Sequence, residues 1–231
     1  MMGNSQSSTT GEHTMTMEKG SRTLTVQQEK GAGTADIAFS IRENNQIFTD
    51  YGISHTKEMH FIVVRDDLLH FQHVHPVRDA KGVWHVDAKP ATEGAYWFYA
   101  DFADKDGGSY ALRFEKTFTG DKGSYGIVKD FSVSKTVDGY RITLKPSLSG
   151  NTATFTYDVA DANGQPVQLE DYLGAKGHSI LLTTEGGFIH AHAEDVPPVF
   201  TTDVDPGTFY RMYTQFQIKG KVITVSFDWQ S

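Results

Sequence analysis

Apolar and polar residues alternate in short runs along most of the chain from about Thr23 onward. Typical runs read HFIVVR, YWFYADF, TATFTYDVA and VITVSFDW, and Gly, Asn or Asp punctuates the gaps between such runs. Period-two runs rich in Val, Ile, Phe, Tyr and Thr are typical of β-strands that bury one face. No long stretch has an apolar period of 3.6 residues. The pattern therefore predicts an all-β chain built from antiparallel β-sandwiches rather than an α/β protein.

The second half of the chain repeats the pattern of the first. The segment MHFIVVRDDLLHFQHVHP at 59–76 returns as GHSILLTTEGGFIHAHAE at 177–194. A Tyr-x-x-Tyr-x-x-Phe motif begins at Tyr96 and again at Tyr210, and the matching landmarks recur 114 to 121 residues later. Such a steady spacing indicates an internal duplication.

The duplication sets the expected domain organisation. About 110 residues per copy is a usual size for a β-sandwich domain. The Gly-rich stretch TGDKGSYG lies between the copies, and the first twenty residues are small and polar. We therefore predict tandem β-sandwich domains at 21–119 and 129–231, a linker at 120–128, and a disordered tail at 1–20.

Composition narrows the chemistry. The 231 residues include ten His and no Cys, and the formal net charge is −8. The absence of Cys excludes disulfides, thiolate metal sites, thiol catalysis and the blue-copper electron-transfer site. An acidic chain disfavours nucleic acid and anionic membranes as partners. The sequence contains no run of 18 apolar residues that would predict a membrane-spanning helix. The histidines remain as the feature to explain.

Three histidines of the first copy fall on one predicted hairpin. With a four-residue loop at 66–69, His60 lies opposite His75. The same register sets Ile62 opposite His73. Because side chains alternate along a strand and directly opposed Cβ atoms lie about 4.5 to 5.5 Å apart, the three imidazoles share a face and converge.

The second copy predicts the same arrangement with a shorter turn. One residue is lost between the outer histidines, and the loss falls in a three-residue loop at 184–186. The register then sets His178 opposite His192. It also sets Ile180 opposite His190. Glycines at this turn can supply the positive φ that a three-residue hairpin loop needs.

Two sets of clustered imidazoles indicate transition-metal binding. Neutral imidazoles are common ligands of zinc, copper and nickel, and three protein ligands with an open position are typical of exchangeable or catalytic sites. The predicted metal ligands are His60, His73, His75, His178, His190 and His192. The spacing leaves open whether the two sets form two separate sites or one larger shared site.

Several segments together resemble a recurring family of bacterial extracytoplasmic proteins. They include HFIVVRDDL, FQHVHP, YWFYADF, DYLGAKGHSILL and FIHAHAED, and the similarity covers residues 35–228. That family consists of secreted proteins and lipoproteins with paired Ig-like or cupredoxin-like β-sandwiches and repeated His-x-His motifs, associated with copper and heavy-metal handling. The resemblance implies a periplasmic, secreted or cell-surface protein whose targeting segment lies outside this sequence. Its members usually carry His-x-His-Pro in both halves, whereas here His75 precedes Pro76 and His192 precedes Ala193.

These observations favour a non-enzymatic extracytoplasmic protein that buffers, delivers or confers resistance to a transition metal. Copper, as Cu(I) or Cu(II), is the expected ion, with zinc as the alternative. Expected partners are the metal ion and a protein that donates or accepts it; we expect no nucleic acid, and membrane contact only through a lipid anchor. Two alternatives stay open: a cupin-like or other tri-histidine metalloenzyme, and an adhesion or partner-binding module with pH-sensitive histidines.

Overall fold

The computed structural model describes residues 14–15, 22–30, 35–90 and 92–231, and every regular element in that part of the chain is a β-strand. No helix among the described residues is long and apolar enough to cross a membrane. The described chain divides into two compact units. One contains the described residues up to 65 together with 70–124, and the other contains 66–69 together with 125–231.

The predicted domain boundaries stay predictions. Of the predicted tail at 1–20, only Thr14 and Met15 lie among the described residues, where they form a two-residue strand that pairs with Leu24 and Thr25. The rest of that segment lies outside the described part of the chain.

Within its described residues, the first unit contains two antiparallel sheets. Its strands are β1 (Thr14–Met15), β2 (Arg22–Lys30), β3 (Ala35–Glu43), β4 (Gln46–Ile47), β5 (His60–Arg65), β6 (Gln72–Val74), β7 (Val77–Arg78), β8 (Trp84–Ala88), β9 (Gly94–Ala103) and β10 (Ser109–Phe118). One sheet has the order β1-β2-β3-β8-β7, with β4 paired to β3. The other has the order β10-β9-β5-β6.

The second unit also contains two antiparallel sheets, and one of them repeats the strand order of the β10-β9-β5-β6 sheet. Its strands are β11 (Ser134–Val137), β12 (Tyr140–Ser149), β13 (Thr152–Ala160), β14 (Gly177–Leu182), β15 (Phe188–Ala193), β16 (Val199–Asp203), β17 (Phe209–Ile218) and β18 (Lys221–Gln230). The sheet orders are β11-β12-β13-β16 and β15-β14-β17-β18. Strands β5, β6, β9 and β10 therefore correspond to β14, β15, β17 and β18. The all-β fold of two tandem β-sandwiches, predicted from the duplication, is confirmed.

The hydrophobic core of each unit lies between its two sheets. In the first unit, the rings of Phe39 on β3 and Phe61 on β5 stack with centroids 5.1 Å apart. In the second unit, Tyr157 on β13 packs edge-on against Phe216 on β17, with centroids 5.4 Å apart. Met59, which precedes the first histidine strand, is 1% exposed and belongs to the first core.

Strand alternation places the histidines on the face of the sheet that points away from this core. On β5, Phe61 and Val63 contribute to the first core. Residues at alternate positions project to opposite faces, so His60 and Ile62 lie on the outer face of the β10-β9-β5-β6 sheet. Both are nevertheless buried, at 1% and 0% exposure.

Candidate metal centre

The first hairpin pairs in the predicted register. Phe61 pairs with Val74 and Ile62 pairs with His73, while β6 ends one residue before His75. The predicted four-residue loop is wrong, because the strands are joined by residues 66–71. Left-handed backbone at Leu68 and His70, with φ of 60° and 55°, extends the turn.

The three histidines of the first unit converge on one point. His60 Nδ1 lies 3.0 Å from His73 Nε2 and 3.3 Å from His75 Nε2. The ring centroids of the three residues are 4.9 to 5.3 Å apart. His60 is buried and the other two are partly buried. The predicted cluster therefore forms within this unit, with one Nδ1 and two Nε2 atoms facing each other.

The second hairpin matches its predicted register throughout. His178 pairs with His192, and Ile180 pairs with His190. The two strands are joined by residues 183–187, and the hydrogen bond from the Thr183 amide to the Gly187 carbonyl (3.1 Å) encloses the predicted three-residue loop at 184–186. A glycine in this loop has a φ of 80°, the left-handed conformation that such a turn requires.

The histidines of the second unit form a similar cluster. His178 Nδ1 lies 3.3 Å from His190 Nε2. The ring of His192 has its centroid 4.6 Å from that of His178 and 4.2 Å from that of His190. His178 is fully buried, and the other two are partly buried. Both copies of the repeat thus bring together the three histidines that the sequence singles out.

A backbone carbonyl fixes the first histidine of each cluster. His60 Nε2 lies 3.1 Å from the Ser54 carbonyl, and His178 Nε2 lies 2.8 Å from the Tyr172 carbonyl. A carbonyl oxygen only accepts, so Nε2 carries the hydrogen and Nδ1 of each neutral ring keeps its lone pair toward the cluster. Metal-ligating histidines commonly donate their second ring N–H in this way.

Both carbonyls belong to the same kind of tight turn, which the sequence analysis missed. Ser54 exchanges two backbone hydrogen bonds with Lys57, and Tyr172 does the same with Ala175. The two central residues of each turn have positive φ, at 55–56 and at 173–174, the signature of a type I′ turn. Gly174 gives a signal for one turn. His55-Thr56 does not predict such a turn, because a β-branched residue such as Thr rarely adopts positive φ.

The clusters have the dimensions of a metal site. For Zn–N bonds of about 2.0 to 2.1 Å in a tetrahedron, neighbouring ligand atoms lie roughly 3.3 Å apart. The measured nitrogen separations of 3.0 and 3.3 Å fall close to that value. The ligand nitrogens of His60 and His73 lie within 4.8 Å of each other, as do those of His178 and His192. The histidine triads could therefore coordinate a metal ion.

Burial shapes the electrostatics around His60. Desolvation lowers the pKa of His60, which favours the neutral imidazole. On the neighbouring strand β9, Asp101 pairs directly with His60. Burial raises the pKa of Asp101 to about 6, opposed by the nearby His60 and His55. The pattern of histidines does not predict a role for Asp101, although this residue occupies a fixed position in the repeated Tyr-x-x-Tyr-x-x-Phe motif.

The other histidines of the first unit lie around the cluster or away from it. His55 occupies the tight turn before β5 and acts electrostatically on His60 and Asp101. His70 lies in the loop of the first hairpin. His85 is exposed on β8, where its Nε2 lies 3.3 Å from a carboxylate oxygen of Asp79.

The sequence matches a known family over nearly its whole length. The matching model is described as a domain of unknown function, DUF8832, and it covers residues 10–131 and 135–231. The chain belongs to this family. Each of the two matching segments of this DUF8832 protein contains one histidine triad. A comparison with curated proteins gave no match.

Several solved structures of repeated domains are among those similar to this DUF8832 protein. A two-domain fibronectin type-III segment from chicken tenascin is 11% identical, with a TM-score of 0.30, and the match covers 90% of this chain and 97% of that one. Fibronectin(III)-like modules of Clostridium thermocellum CbhA are 14% identical, with a TM-score of 0.25, covering 90% and 92%. A tetra-tandem repeat of a large adhesion protein is 11% identical, with a TM-score of 0.32, covering 92% and 49%. Similarity at this level says nothing about function.

Proposed function

We propose that this DUF8832 protein binds transition-metal ions through its histidine triads and acts outside the cytoplasm in metal buffering, delivery or resistance. The observation that carries the proposal is the repeated donor geometry. In each unit, a buried histidine directs Nδ1 at the triad while its Nε2 lies against a backbone carbonyl. A ring held by its second nitrogen loses less freedom when it binds a metal.

Copper is the favoured ion in this proposal. The triads offer imidazole nitrogen without thiolate, since the chain has no Cys. Nitrogen sites bind Cu²⁺ more tightly than Zn²⁺ in the general order of divalent affinities, and imidazole suits both. Zinc is the alternative ion.

The place of action and the partner are part of the same proposal. The resemblance to secreted proteins and lipoproteins supports an extracytoplasmic location. Partly buried triads with three protein ligands each would leave a coordination position for exchange. A protein that donates metal to these triads or accepts it from them is therefore the partner we propose.

Metal content of purified variants tests the proposal. The metal-free full chain is dialysed separately against Cu²⁺ and Zn²⁺, and the bound metal is measured by elemental analysis. We expect one or two equivalents in the wild type and a loss of bound metal in His73→Ala/His75→Ala and in His190→Ala/His192→Ala. His85→Ala, which removes an exposed histidine bonded to Asp79, should retain the wild-type content.

The outcomes separate clearly. Unchanged metal content in both double variants would refute the ligand assignment. Failure of the wild type to bind either ion would refute the proposed function and favour the partner-binding alternative. Far-ultraviolet circular dichroism of each metal-free variant checks that loss of metal does not follow from loss of fold.

A further inference from the structure

The two triads differ on the side away from the His-x-His strand. In the first unit, β5 lies between β6 and β9, and His60 pairs with Asp101 on β9. In the second unit, β14 lies between β15 and β17, and His178 pairs with Gln215 on β17. Directly paired residues of adjacent strands project to the same face of a sheet. The repeat therefore places a carboxylate beside one triad and an amide beside the other.

The strands beyond Gln215 and Asp101, β18 and β10, add a second difference between the two units. Gln215 pairs with Thr224 on β18, and its Nε2 donates a hydrogen bond of 3.0 Å to Thr224 Oγ1. The corresponding partner of Asp101 on β10 is Ala111, whose side chain offers no hydrogen bond. Strand β18 thus places a hydroxyl group against the amide, whereas β10 places the methyl group of an alanine beside the carboxylate.

The carboxylate of Asp101 lies within electrostatic reach of the first triad. Asp101 pairs directly with His60 between β9 and β5, and both residues lie in buried or partly buried positions where water screens charges weakly. A carboxylate at this position offsets part of the charge of a divalent ion held by three neutral imidazoles. Oxygen donors also suit divalent ions better than they suit Cu(I).

From this asymmetry we infer that Asp101 is a specificity-determining residue, which makes the triad of the first unit selective for divalent ions over Cu(I), an inference that rests on the proposed metal-binding function. The triad of the second unit, flanked by Gln215, carries no such charge and discriminates less. The chain thereby presents two chemically different donor sets rather than two copies of one.

Competition titrations of the full chain test this inference. Zn²⁺ and, without oxygen, Cu⁺ are each titrated into wild type and variants against a chromophoric chelator. We expect Asp101→Asn to weaken the tightest Zn²⁺ binding about 10- to 100-fold, with a much smaller effect on Cu⁺. Gln215→Glu should strengthen Zn²⁺ binding relative to Cu⁺. Asp106→Asn, an exposed carboxylate of the same unit, is the matched control and should leave both affinities unchanged.

The ratio of Zn²⁺ to Cu⁺ affinity is the deciding measurement, because general loss of structure would weaken both ions together. If the wild type binds metal and Asp101→Asn keeps the wild-type ratio, the inference is wrong while the proposed function stands. If the wild type binds neither ion, the proposed function fails and the inference fails with it. A lower ratio in Asp101→Asn and a higher one in Gln215→Glu would support both.

Discussion

Arg22 joins charge and aromatic packing at the start of β2. Its guanidinium lies 4.1 Å from the ring centroid of Phe48 and 4.0 Å from that of Tyr110. Nη1 donates a hydrogen bond of 3.0 Å to Asp104 Oδ2, and Nε donates one of 3.0 Å to Glu43 Oε1. The side chain of Arg22 is only 9% exposed. This buried guanidinium therefore contacts two aromatic rings and pairs with two carboxylates.

Asp104 makes the stability of the first unit depend on pH. The Gly108 amide (2.7 Å) and Arg22 hold the pKa of Asp104 below its usual range. The resulting stabilisation is fully present above the unfolded carboxyl pKa of about 3.9, and it is lost as the pH falls through the lower folded value. We expect Asp104→Asn to lower the urea midpoint at neutral pH and to flatten its acid dependence. Urea unfolding of the full chain at a series of pH values measures both effects.

The exposed Asp106 provides the control for this prediction. It lies in the same turn between β9 and β10 as Asp104. Asp106→Asn should leave the wild-type midpoint and its acid dependence in place. Equal behaviour of Asp104→Asn and Asp106→Asn would show that the Arg22 contact does not contribute measurably to stability.

At the scale of single elements, the residue that precedes the first histidine of each cluster differs between the two units. Met59 fills the first core just before His60. The matching residue of the second unit is Gly177, where a Cβ would come within 2.9 Å of ring atoms of Phe200 and Phe216. The aromatic rings of the second core therefore occupy the space that a side chain takes in the first.

Gly177→Ala should destabilise the second unit. Both contacted rings are fully buried, at 0% exposure, so the added methyl group can be accommodated only by moving the core. Overpacking of this kind costs about 1 to 3 kcal/mol. Urea unfolding measures the loss. Gly120→Ala, where a Cβ meets nothing within 4 Å, should change the free energy of unfolding little, and equal stability of the two variants would contradict this account of β14.

Strand register is the part of the fold that the sequence predicts well. Directly paired residues share a face, and a one-residue slip of β15 against β14 would turn its histidines away from His178, so the pairing of His178 with His192 follows from the pattern. The loop of the first hairpin is predicted poorly. Its length depends on left-handed backbone at Leu68 and His70, and Leu rarely adopts that conformation.

At the scale of the whole molecule, the duplication predicts more of the fold than of the site. Two copies of one pattern give two units whose histidine-bearing sheets have the same strand order, and each hairpin gathers its three histidines. The groups that contact the triads lie on other strands and turns, outside the two hairpins. Asp101 reaches His60 only because β9 pairs with β5 in one register, and the Ser54 carbonyl depends on a turn without a sequence signature. Long-range pairing and backbone groups are what local patterns do not encode.

Metal binding should raise the thermal stability of the whole chain. An ion that binds the folded chain alone stabilises it by about 2.7 kcal/mol when its free concentration is about 100 times the Kd. We expect the unfolding temperature of the metal-free protein to rise on addition of Cu²⁺ or Zn²⁺ and to return on chelation, with His85→Ala behaving as the wild type.

The double variants His73→Ala/His75→Ala and His190→Ala/His192→Ala show how many sites contribute to this rise. Loss of the whole metal-induced rise in either variant would indicate one shared site, whereas partial loss in each would indicate two. An unfolding temperature that neither ion raises would contradict metal binding by the folded triads.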